Sequence, residues 1–245
     1  MVVPTYNEVE NLVPLLDAVH AATPDVDVLV VDDASPDGTG ALADRRAAAD
    51  PRVHVLHRPA KEGLGAAYLA GFGWALEHGY DVIGEMDADG SHQPAELPRL
   101  RAALAEADLV IGSRWVDGGT VSNWSLRREL LSRAGNAYTR ALLGLPIHDV
   151  TAGYRLFRRS ALEQLHLEDV ASTGYVFQAD LAHRAVRAGL RVVEVPIEFV
   201  ERQRGESKMT FGVAVESLRR ITQWGVAQRR RPQASARKQP RPAGR

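Results

Sequence analysis

The sequence predicts a single α/β domain, with a mainly parallel sheet and helices on both of its faces. Short apolar runs of strand length alternate with longer segments of helical period, which is typical of parallel strands joined by helices. Polar clusters directly follow three of these runs, as expected where ligands bind beyond the carboxyl ends of parallel strands. We therefore expect one domain over residues 1–228 and a basic tail over residues 229–245.

The individual elements follow from hydrophobic spacing and from turn and capping residues. Proline at position 36, directly after Ser35, indicates an N-cap followed by proline at the first helical position. Strands are predicted over Met1–Val3, Asp27–Val31, Val53–His57, Val82–Met86, Leu109–Gly112 and Arg191–Val200. Helices are predicted over Glu8–Ala22, Pro36–Ala49, Gly65–His78, Pro94–Glu106, Leu126–Leu143 and Tyr175–Ala188.

Composition excludes several kinds of site and location. The chain has no cysteine, which removes disulfides and zinc-thiolate sites and fits a reducing compartment. Pro4, Asn7 and Glu8 interrupt the N-terminus before a signal-peptide core could form. No run approaches the roughly 18 apolar residues of a membrane span, so we expect the chain not to cross a bilayer.

The net charge of −1 conceals an acidic body and a basic tail. The tail contributes +7, which leaves −8 on residues 1–228 and argues against a nucleic-acid enzyme. It also contains three prolines and few apolar residues, so it is expected to be disordered by itself. The basic residues of the tail are Arg229, Arg230, Arg231, Arg237, Lys238, Arg241 and Arg245.

The Asp87-Ala88-Asp89 segment is the strongest candidate site. Its two carboxylates are two residues apart after an apolar strand, so in extended backbone they project to the same side. Two nearby carboxylates repel unless a cation lies between them, and carboxylate oxygens suit Mg²⁺ or Mn²⁺ bridged to substrate phosphates. A solvated Asp-Ala-Asp-Gly turn is the structural alternative. The position at a strand end favours the metal.

A second acidic cluster follows the second strand. Asp33 stands where the ribose or base of a nucleotide could be hydrogen-bonded, so we expect a binding role for it. Asp37 and Gly38 form good turn chemistry, and we expect them to be structural.

Two other motifs are rejected. Gly63-Leu64-Gly65 resembles part of a dinucleotide fingerprint, but Tyr68 occupies the third glycine position and the segment does not follow the first strand. No Gly-x-Ser-x-Gly occurs, so serine hydrolase chemistry has no support.

A cationic loop lies late in the chain, over Glu201–Met209. It could be a solvated basic turn, but near a metal-bound diphosphate its cations would stabilise a departing phosphate. Arg114, after the fifth strand, could do the same. Gly205 would let the loop close over a bound donor.

Four motifs occur in order across residues 2–208, and their combination is specific although each alone is weak. The chain resembles the family 2 glycosyltransferases and, within that family, the polyprenol (dolichol-type) phosphate mannose synthases. The motifs are Val2-Val3-Pro4-Thr5-Tyr6-Asn7-Glu8, Val31-Asp32-Asp33-Ala34-Ser35-Pro36-Asp37-Gly38-Thr39, Met86-Asp87-Ala88-Asp89-Gly90 and Arg204-Gly205-Glu206-Ser207-Lys208.

The resemblance implies a GT-A fold, GDP-mannose as donor, a polyprenyl (dolichyl-type) phosphate as acceptor, Mg²⁺ or Mn²⁺ as metal, and inversion at the sugar carbon. By position, Arg128 would contact the acceptor phosphate. The guanosine would be surrounded by Pro4, Tyr6, Glu8, Val31 and Asp33. The diphosphate and metal would lie at Asp87, Ala88 and Asp89, with Arg114, Arg202 and Lys208 on phosphate oxygens. The candidate catalytic residues are Asp89, Arg114, Arg202 and Lys208.

The sequence departs from that family pattern in two ways. Relatives often place a glutamine as third metal ligand two positions after the second aspartate, where this chain has Ser91, a poorer ligand. Many relatives also continue into membrane spans. We therefore expect peripheral contact with the cytoplasmic face of a membrane, or a membrane-embedded partner protein, and a helical stripe that includes Leu218 could contact lipid or pack on the core.

Alternatives remain from the residues alone. The scaffold could transfer another sugar, such as glucose from UDP-glucose, to a lipid phosphate or a polysaccharide. A nucleotidyltransferase or a nucleotide-binding protein without transfer activity would use the same carboxylates, but the cationic loop favours transfer. We expect no dedicated general base, and Asp149 is the candidate if one exists.

Overall fold

The computed structural model describes residues 1–170, 175–202 and 218–226. Most of the strands are short, as expected where each one crosses a buried sheet once. The strands are β1 (Val2–Thr5), β2 (Val28–Asp32), β3 (Val53–His57), β4 (Val82–Glu85), β5 (Leu109–Ser113), β6 (Thr120–Ser122), β7 (Arg155–Arg158), β8 (Val192–Pro196) and β9 (Glu198–Val200).

The helices connect successive strands. Short 3₁₀ turns, Pro94–Glu96 and Leu104–Glu106, flank the fourth helix. The α-helices are α1 (Val9–Ala22), α2 (Thr39–Ala49), α3 (Leu64–Glu77), α4 (Leu97–Ala103), α5 (Leu126–Leu143), α6 (Arg159–Gln164), α7 (Tyr175–Arg187) and a last helix, α8, over residues 218–226.

Seven strands form one mainly parallel sheet in the order β3-β2-β1-β4-β7-β5-β8. Only β7 runs antiparallel within it, between β4 and β5. β6 and β9 form a separate parallel pair. The predicted α/β class is confirmed for the described residues.

Helices pack on both faces of the sheet. On one face, α3 places Tyr68 and Phe72 against the sheet, and on the other α1 places Leu12 and Leu16 there. All four side chains are fully buried. Because both faces of β1 and β2 are covered, every residue of these strands is buried, which explains their continuous apolar runs.

Strand β7 was missed by the sequence analysis. It begins and ends with arginine, which hides its short apolar centre. Arg155 is nevertheless fully buried, because its guanidinium donates to the carbonyl oxygens of Val150, Ala152 and Gln178 at 2.8–2.9 Å. A buried arginine satisfied by main-chain oxygens leaves no hydrophobic signal in the sequence.

The single strand predicted over Arg191–Val200 is wrong. The chain instead forms β8 beside β5 and then β9 beside β6. β8 pairs with β5 as far as Ser113, the last residue of β5. Ile197, which directly follows β8, donates its N–H to the Ser113 carbonyl at 3.0 Å. Beyond that point no strand of the large sheet continues, so β9 pairs with the separate β6.

The predicted N-cap at Ser35 is also wrong, since α2 begins at Thr39. The N-cap is Gly38, and Asp37 before it joins the starts of two helices: its Oδ1 accepts from the Thr39 N–H of α2 at 3.0 Å, and its Oδ2 accepts from the Val9 N–H of α1 at 3.1 Å. Gly38 has a φ of 90°, in the left-handed region that glycine tolerates. Asp37 and Gly38 are structural, as expected.

Helix α8 packs on the domain through one side. Ile221 is buried, Trp224 stacks on His183 of α7 at 6.4 Å, and the Thr222 hydroxyl lies 2.8 Å from that of Tyr138 on α5. The helix therefore packs on the core through these residues, whereas Leu218 of the predicted stripe is exposed. No helix among the described residues is long and apolar enough to cross a membrane. The rest of the stripe, the tail and most of the cationic loop lie outside those residues.

Candidate active site

Three polar turns meet at one edge of the sheet. β1 lies between β2 and β4, and all three are parallel, so their carboxyl ends lie side by side. The turns after them carry Asn7, Asp33 and Asp87 respectively. The convergence predicted from the sequence is present.

The first two turns are joined by Asp32. Its Oδ1 accepts from the hydroxyls of Thr5 at 3.1 Å and Ser35 at 2.6 Å, and its Oδ2 accepts from the Ser35 N–H. Asn7 and Ala34 have positive φ values of 59° and 55°, unusual for residues other than glycine. This network fixes the shape of the predicted nucleoside region.

Asp33 lies in that region beside a cation that the sequence analysis did not name. Arg58 donates to Asp33 at 2.6 Å and to Glu62 at 2.5 Å. Burial raises the pKa of Asp33, although the charge of Arg58 opposes the shift. Nearby, the Lys61 ammonium lies 3.8 Å from the centre of the Tyr6 ring.

The other residues predicted at the guanosine lie on the same strands. Pro4 and Val31 are buried and stand opposite each other in the register of β1 and β2. Glu8 accepts from the Asn11 amide at 2.7 Å, and its N–H donates to the Thr39 hydroxyl. The structure thus brings these residues together with Tyr6 and Asp33.

Asp87 is held by two groups. Its Oδ1 accepts a hydrogen bond from the Tyr68 hydroxyl at 2.9 Å, and its N–H donates to Nδ1 of His92 at 3.1 Å. Burial and the neighbouring Asp89 raise the pKa of Asp87. Burial also lowers the pKa of His92, which favours the neutral imidazole that such an acceptor requires. A fixed, buried carboxylate of this kind favours a cation beside it.

Asp89 has the opposite shift. Burial alone would raise its pKa, but hydrogen bonds from Ser91 and the charge of Arg202 outweigh burial and lower it. The Ser91 N–H donates to Oδ1 at 3.0 Å, and the Arg202 guanidinium lies 3.0 Å from Oδ2. The structure therefore brings Arg202 of the cationic loop to the aspartate pair, and Lys208 lies outside the described residues.

The oxygen atoms around the aspartate pair supply part of a coordination shell for a divalent cation. Two carboxylates of Asp87 and Asp89 and the buried side chain of Ser91 offer oxygen ligands, the type that Mg²⁺ and Mn²⁺ prefer. Within residues 1–170, 175–202 and 218–226, no group of three His, Cys, Asp or Glu side chains could hold a metal. Such a cation would then complete its coordination shell with water or with diphosphate oxygens of the sugar nucleotide.

Arg114 is locked into a different arrangement. Its Nε and Nη2 each donate to Asp149 at 2.7 Å, and its main-chain N–H donates to the same carboxylate at 3.0 Å. Asp149 is fully buried, and Arg114 retains 8% exposure. The Thr151 hydroxyl accepts from Nη2 at 2.9 Å. With both oxygens engaged, Asp149 is poorly placed to act as a base.

Aromatic rings surround this arginine. The guanidinium carbon of Arg114 lies 5.2–5.6 Å from the ring centres of Trp115, Trp124 and Phe199. Arg128 stacks on Trp124 at 4.0 Å and pairs with Glu201 at 2.6 Å. Two predicted phosphate-binding arginines therefore share one wall.

Several residues of the site were not predicted from the sequence. Tyr68 served only to reject a dinucleotide motif, yet it contacts Asp87. His92 was not among the predicted site residues, although the five-residue spacing from Asp87 within one turn could have indicated the contact. Arg58 had no signal, because its partner Asp33 is 25 residues distant.

A sequence model described as glycosyl transferase family 2 matches residues 1–166. The chain belongs to glycosyltransferase family 2. It is 57% identical over 228 residues to the undecaprenyl-phosphate mannosyltransferase of Micrococcus luteus, covering 93% of this chain and 94% of that relative. It is 58% identical over 228 residues to the polyprenol monophosphomannose synthase of Mycolicibacterium smegmatis, covering 92% and 86%. The prediction of a glycosyltransferase is confirmed.

Solved structures agree on the fold. Glucosyl-3-phosphoglycerate synthase from Mycobacterium tuberculosis, in complex with phosphoglyceric acid, superposes with a TM-score of 0.65 at 20% identity, over 95% of this chain and 80% of the other. The same enzyme in complex with Mn²⁺, UDP-glucose and glycerol 3-phosphate superposes with a TM-score of 0.63 at 21% identity, over 93% of this chain and 78% of the other. This member of family 2 therefore has the predicted GT-A fold.

Proposed function

We propose that this glycosyltransferase transfers mannose from GDP-mannose to a polyprenyl phosphate, with inversion at the sugar carbon. The observation that carries the proposal is the meeting of Asp87, Asp89 and Arg202 at the edge of the sheet. This chemistry suits a nucleoside diphosphate leaving group. The two relatives named for mannosyl transfer to polyprenol phosphates match almost the whole chain, which supports this sugar and this acceptor.

The nucleoside of the donor would bind at the ends of β1 and β2. Tyr6 offers a ring for stacking, and Asp33 is a carboxylate that could accept hydrogen bonds from a base or ribose. Arg58 holds Asp33 in place at 2.6 Å. Pro4, Glu8 and Val31 would complete this part of the site.

Asp87, Asp89 and Ser91 would hold Mg²⁺ or Mn²⁺, which when bound supplies positive charge beside the diphosphate. Arg202 already lies at Asp89, so it would contact the diphosphate oxygens with little movement. Together with Lys208 it would stabilise the charge of departing GDP. Asp89 has the lowered pKa of the pair and would stay ionised in this role.

The acceptor phosphate, rather than the donor diphosphate expected from the sequence, would bind near Arg114, together with Arg128, because the two guanidinium groups flank the same Trp124 ring. A phosphate monoester has a second pKa of about 6, so its attacking oxygen is anionic near neutral pH. Such an acceptor needs alignment rather than deprotonation. The engagement of Asp149 by Arg114 supports a mechanism without a general base.

A lipid acceptor would bring the enzyme to the cytoplasmic face of a membrane, directly or through a membrane-embedded partner. A basic residue near an anionic surface contributes about 1 kcal/mol to binding. Deleting Arg229–Arg245 should therefore weaken binding to anionic vesicles, most clearly at low salt. Sedimentation with vesicles measures this, and equal binding of the truncated chain would show that the tail is irrelevant.

The donor is tested by offering the purified protein GDP-mannose and UDP-glucose separately, each with polyprenyl phosphate and Mg²⁺. We expect a mannose-bearing lipid in the first reaction and no product in the second. A glucosylated lipid would contradict the proposed donor. Absence of product in both reactions would contradict the proposed transfer.

A further inference from the structure

Gln178 lies on the first turn of α7, and the mechanism above gives it no role. It is 3% exposed. Its main-chain oxygen accepts a hydrogen bond from Nη1 of the buried Arg155 at 2.9 Å. The backbone that carries this side chain is therefore fixed to the central strand β7.

The amide of Gln178 lies beside the buried Glu85 carboxyl, whose pKa it lowers against the larger effect of burial. Neither Nε2 nor Oε1 makes a well-aligned hydrogen bond with a described residue. A buried amide without partners costs free energy, and nearly all such groups in folded proteins are satisfied. A partner supplied by a ligand would remove this cost.

The side chain points to a small space beside Asp87. A Cβ atom built on Gly153 would lie 3.6 Å from Nε2 of Gln178, 3.7 Å from Cε1 of His92 and 3.8 Å from Oδ2 of Asp87. These are ordinary contact distances, so a methyl group would fit there. Glycine at position 153 leaves that space open, and its φ is outside the left-handed region.

The groups around this space match a hydroxyl. An amide both donates and accepts hydrogen bonds, as a hydroxyl does, whereas the Asp87 carboxylate only accepts. A metal ion would use only the amide oxygen and would gain nothing from Nε2.

We propose that Gln178, Asp87 and the open side of Gly153 form a subsite for a hydroxyl group of the donor sugar. This inference rests on the proposed function, since it needs a sugar nucleotide bound at the aspartate pair. It assigns recognition of the sugar, as distinct from its nucleotide, to Gln178 and Gly153.

The test compares binding of GDP and of GDP-mannose, each with Mg²⁺, by calorimetry. Gln178→Leu removes the amide, and we expect binding of GDP-mannose to weaken about 3- to 10-fold, the range of one neutral hydrogen bond. Gly153→Ala fills the space, and we expect a loss of about tenfold or more. Binding of GDP should change less than about twofold in both, because GDP carries no sugar at this position.

Matched controls separate the subsite from general damage. Gln164→Leu alters an exposed glutamine, and Gly73→Ala adds a methyl where no atom lies within 4 Å. Both should leave the two affinities as in the wild type. Thermal unfolding of Gly153→Ala should match the wild type within a few degrees, since the structure has room for the methyl.

Each outcome decides the proposal. An unchanged ratio of the two affinities in both variants overturns the subsite, and the space then holds only water. Equal weakening of GDP and GDP-mannose also overturns it, because the residues would then act on the nucleotide or the metal. If the wild type does not bind GDP-mannose, the proposed function fails and the subsite fails with it.

Discussion

Two aspartate–arginine pairs in this molecule differ in how firmly they are held. Asp149 accepts from Arg114 through three nitrogen atoms at 2.7–3.0 Å and is fully buried. The Arg202 guanidinium lies 3.0 Å from Asp89, and the side chains of Asp89 and Arg202 keep 10% and 20% exposure. The first pair is enclosed in the fold, whereas the second borders solvent.

This difference fits the two roles proposed for Arg114 and Asp89. An arginine that must orient an acceptor benefits from a bidentate partner that removes its rotational freedom. A carboxylate that must hold a metal cannot be permanently paired to an arginine. The partial exposure of Arg202 would let Asp89 take a cation while the arginine moves to phosphate oxygens. The comparison thus predicts structural effects at Asp149 and catalytic effects at Asp89.

The largest effect on stability is expected for Asp149→Asn. Removing one partner of a buried ion pair leaves the other charge uncompensated, which costs about 3–5 kcal/mol. Urea unfolding measures it, and Asp25→Asn, in an exposed pair with Arg101, should change little. A small loss at Asp149 would mean that the buried pair is not a fixed element.

Asp89→Asn should mainly affect activity. It keeps the shape of the side chain but removes one charge, so we expect a loss of at least ~10²-fold, as for other electrostatic stabilisers. Steady-state rates at saturating donor measure this loss. Full activity of the wild type in excess EDTA would contradict the metal site itself.

A pH effect on stability is expected from Glu85, which lies at the base of the same turn. Burial raises its pKa to about 8, against the charge of Arg155 at 3.5 Å. Because the pKa of Glu85 is raised in the folded state, its contribution to the free energy of unfolding is fully present below about pH 4.5 and is lost as the pH rises through 8.

Glu85→Gln removes this titration. Its stability relative to the wild type should rise between pH 5 and 8 by on the order of 3 kcal/mol, since the pKa of Glu85 is raised from 4.5 to about 8 and one pKa unit corresponds to about 1.4 kcal/mol. Chemical unfolding across that range, with the exposed Glu163→Gln as control, measures the difference. A pH-independent difference would show that Glu85 is ionised throughout.

The smallest stability change is expected for Arg202→Gln. A single, partly exposed ion pair contributes about 1 kcal/mol or less. Its effect on transfer should be much larger than on urea unfolding. Comparable losses of transfer activity and of stability would give Arg202 the same structural role as Arg114 and would remove the contrast between the two pairs.

The sequence predicted the fold class and most elements because their patterns are local. Helix α5 has the predicted bounds, Leu126–Leu143, and Ser125 caps it by accepting a hydrogen bond from the Arg128 N–H. Local rules failed where distant groups intervene. Arg155 in β7 is satisfied by carbonyls of other segments, and the start of α2 is set by Asp37 rather than by the proline after Ser35.

The site could also be predicted only in part, namely where its residues directly follow strands. Residues that directly follow strands, such as Asp87 and Asp89, could be placed because the edge of a parallel sheet follows from the topology. Tyr68, which donates to Asp87, and the nearby Gln178 come from helices packed on the sheet. No spacing in the sequence connects a helix residue to a turn that lies far along the chain.

The central claim is transfer of mannose to a phosphate without a general base. The most direct measurement incubates the enzyme with GDP-mannose, Mg²⁺ and either polyprenyl phosphate or the free polyprenol, and quantifies the lipid product by mass spectrometry. We expect mannosyl phosphoryl lipid from the phosphate and at most traces from the alcohol, which needs a base to lose its proton. Efficient transfer to the alcohol would contradict the account.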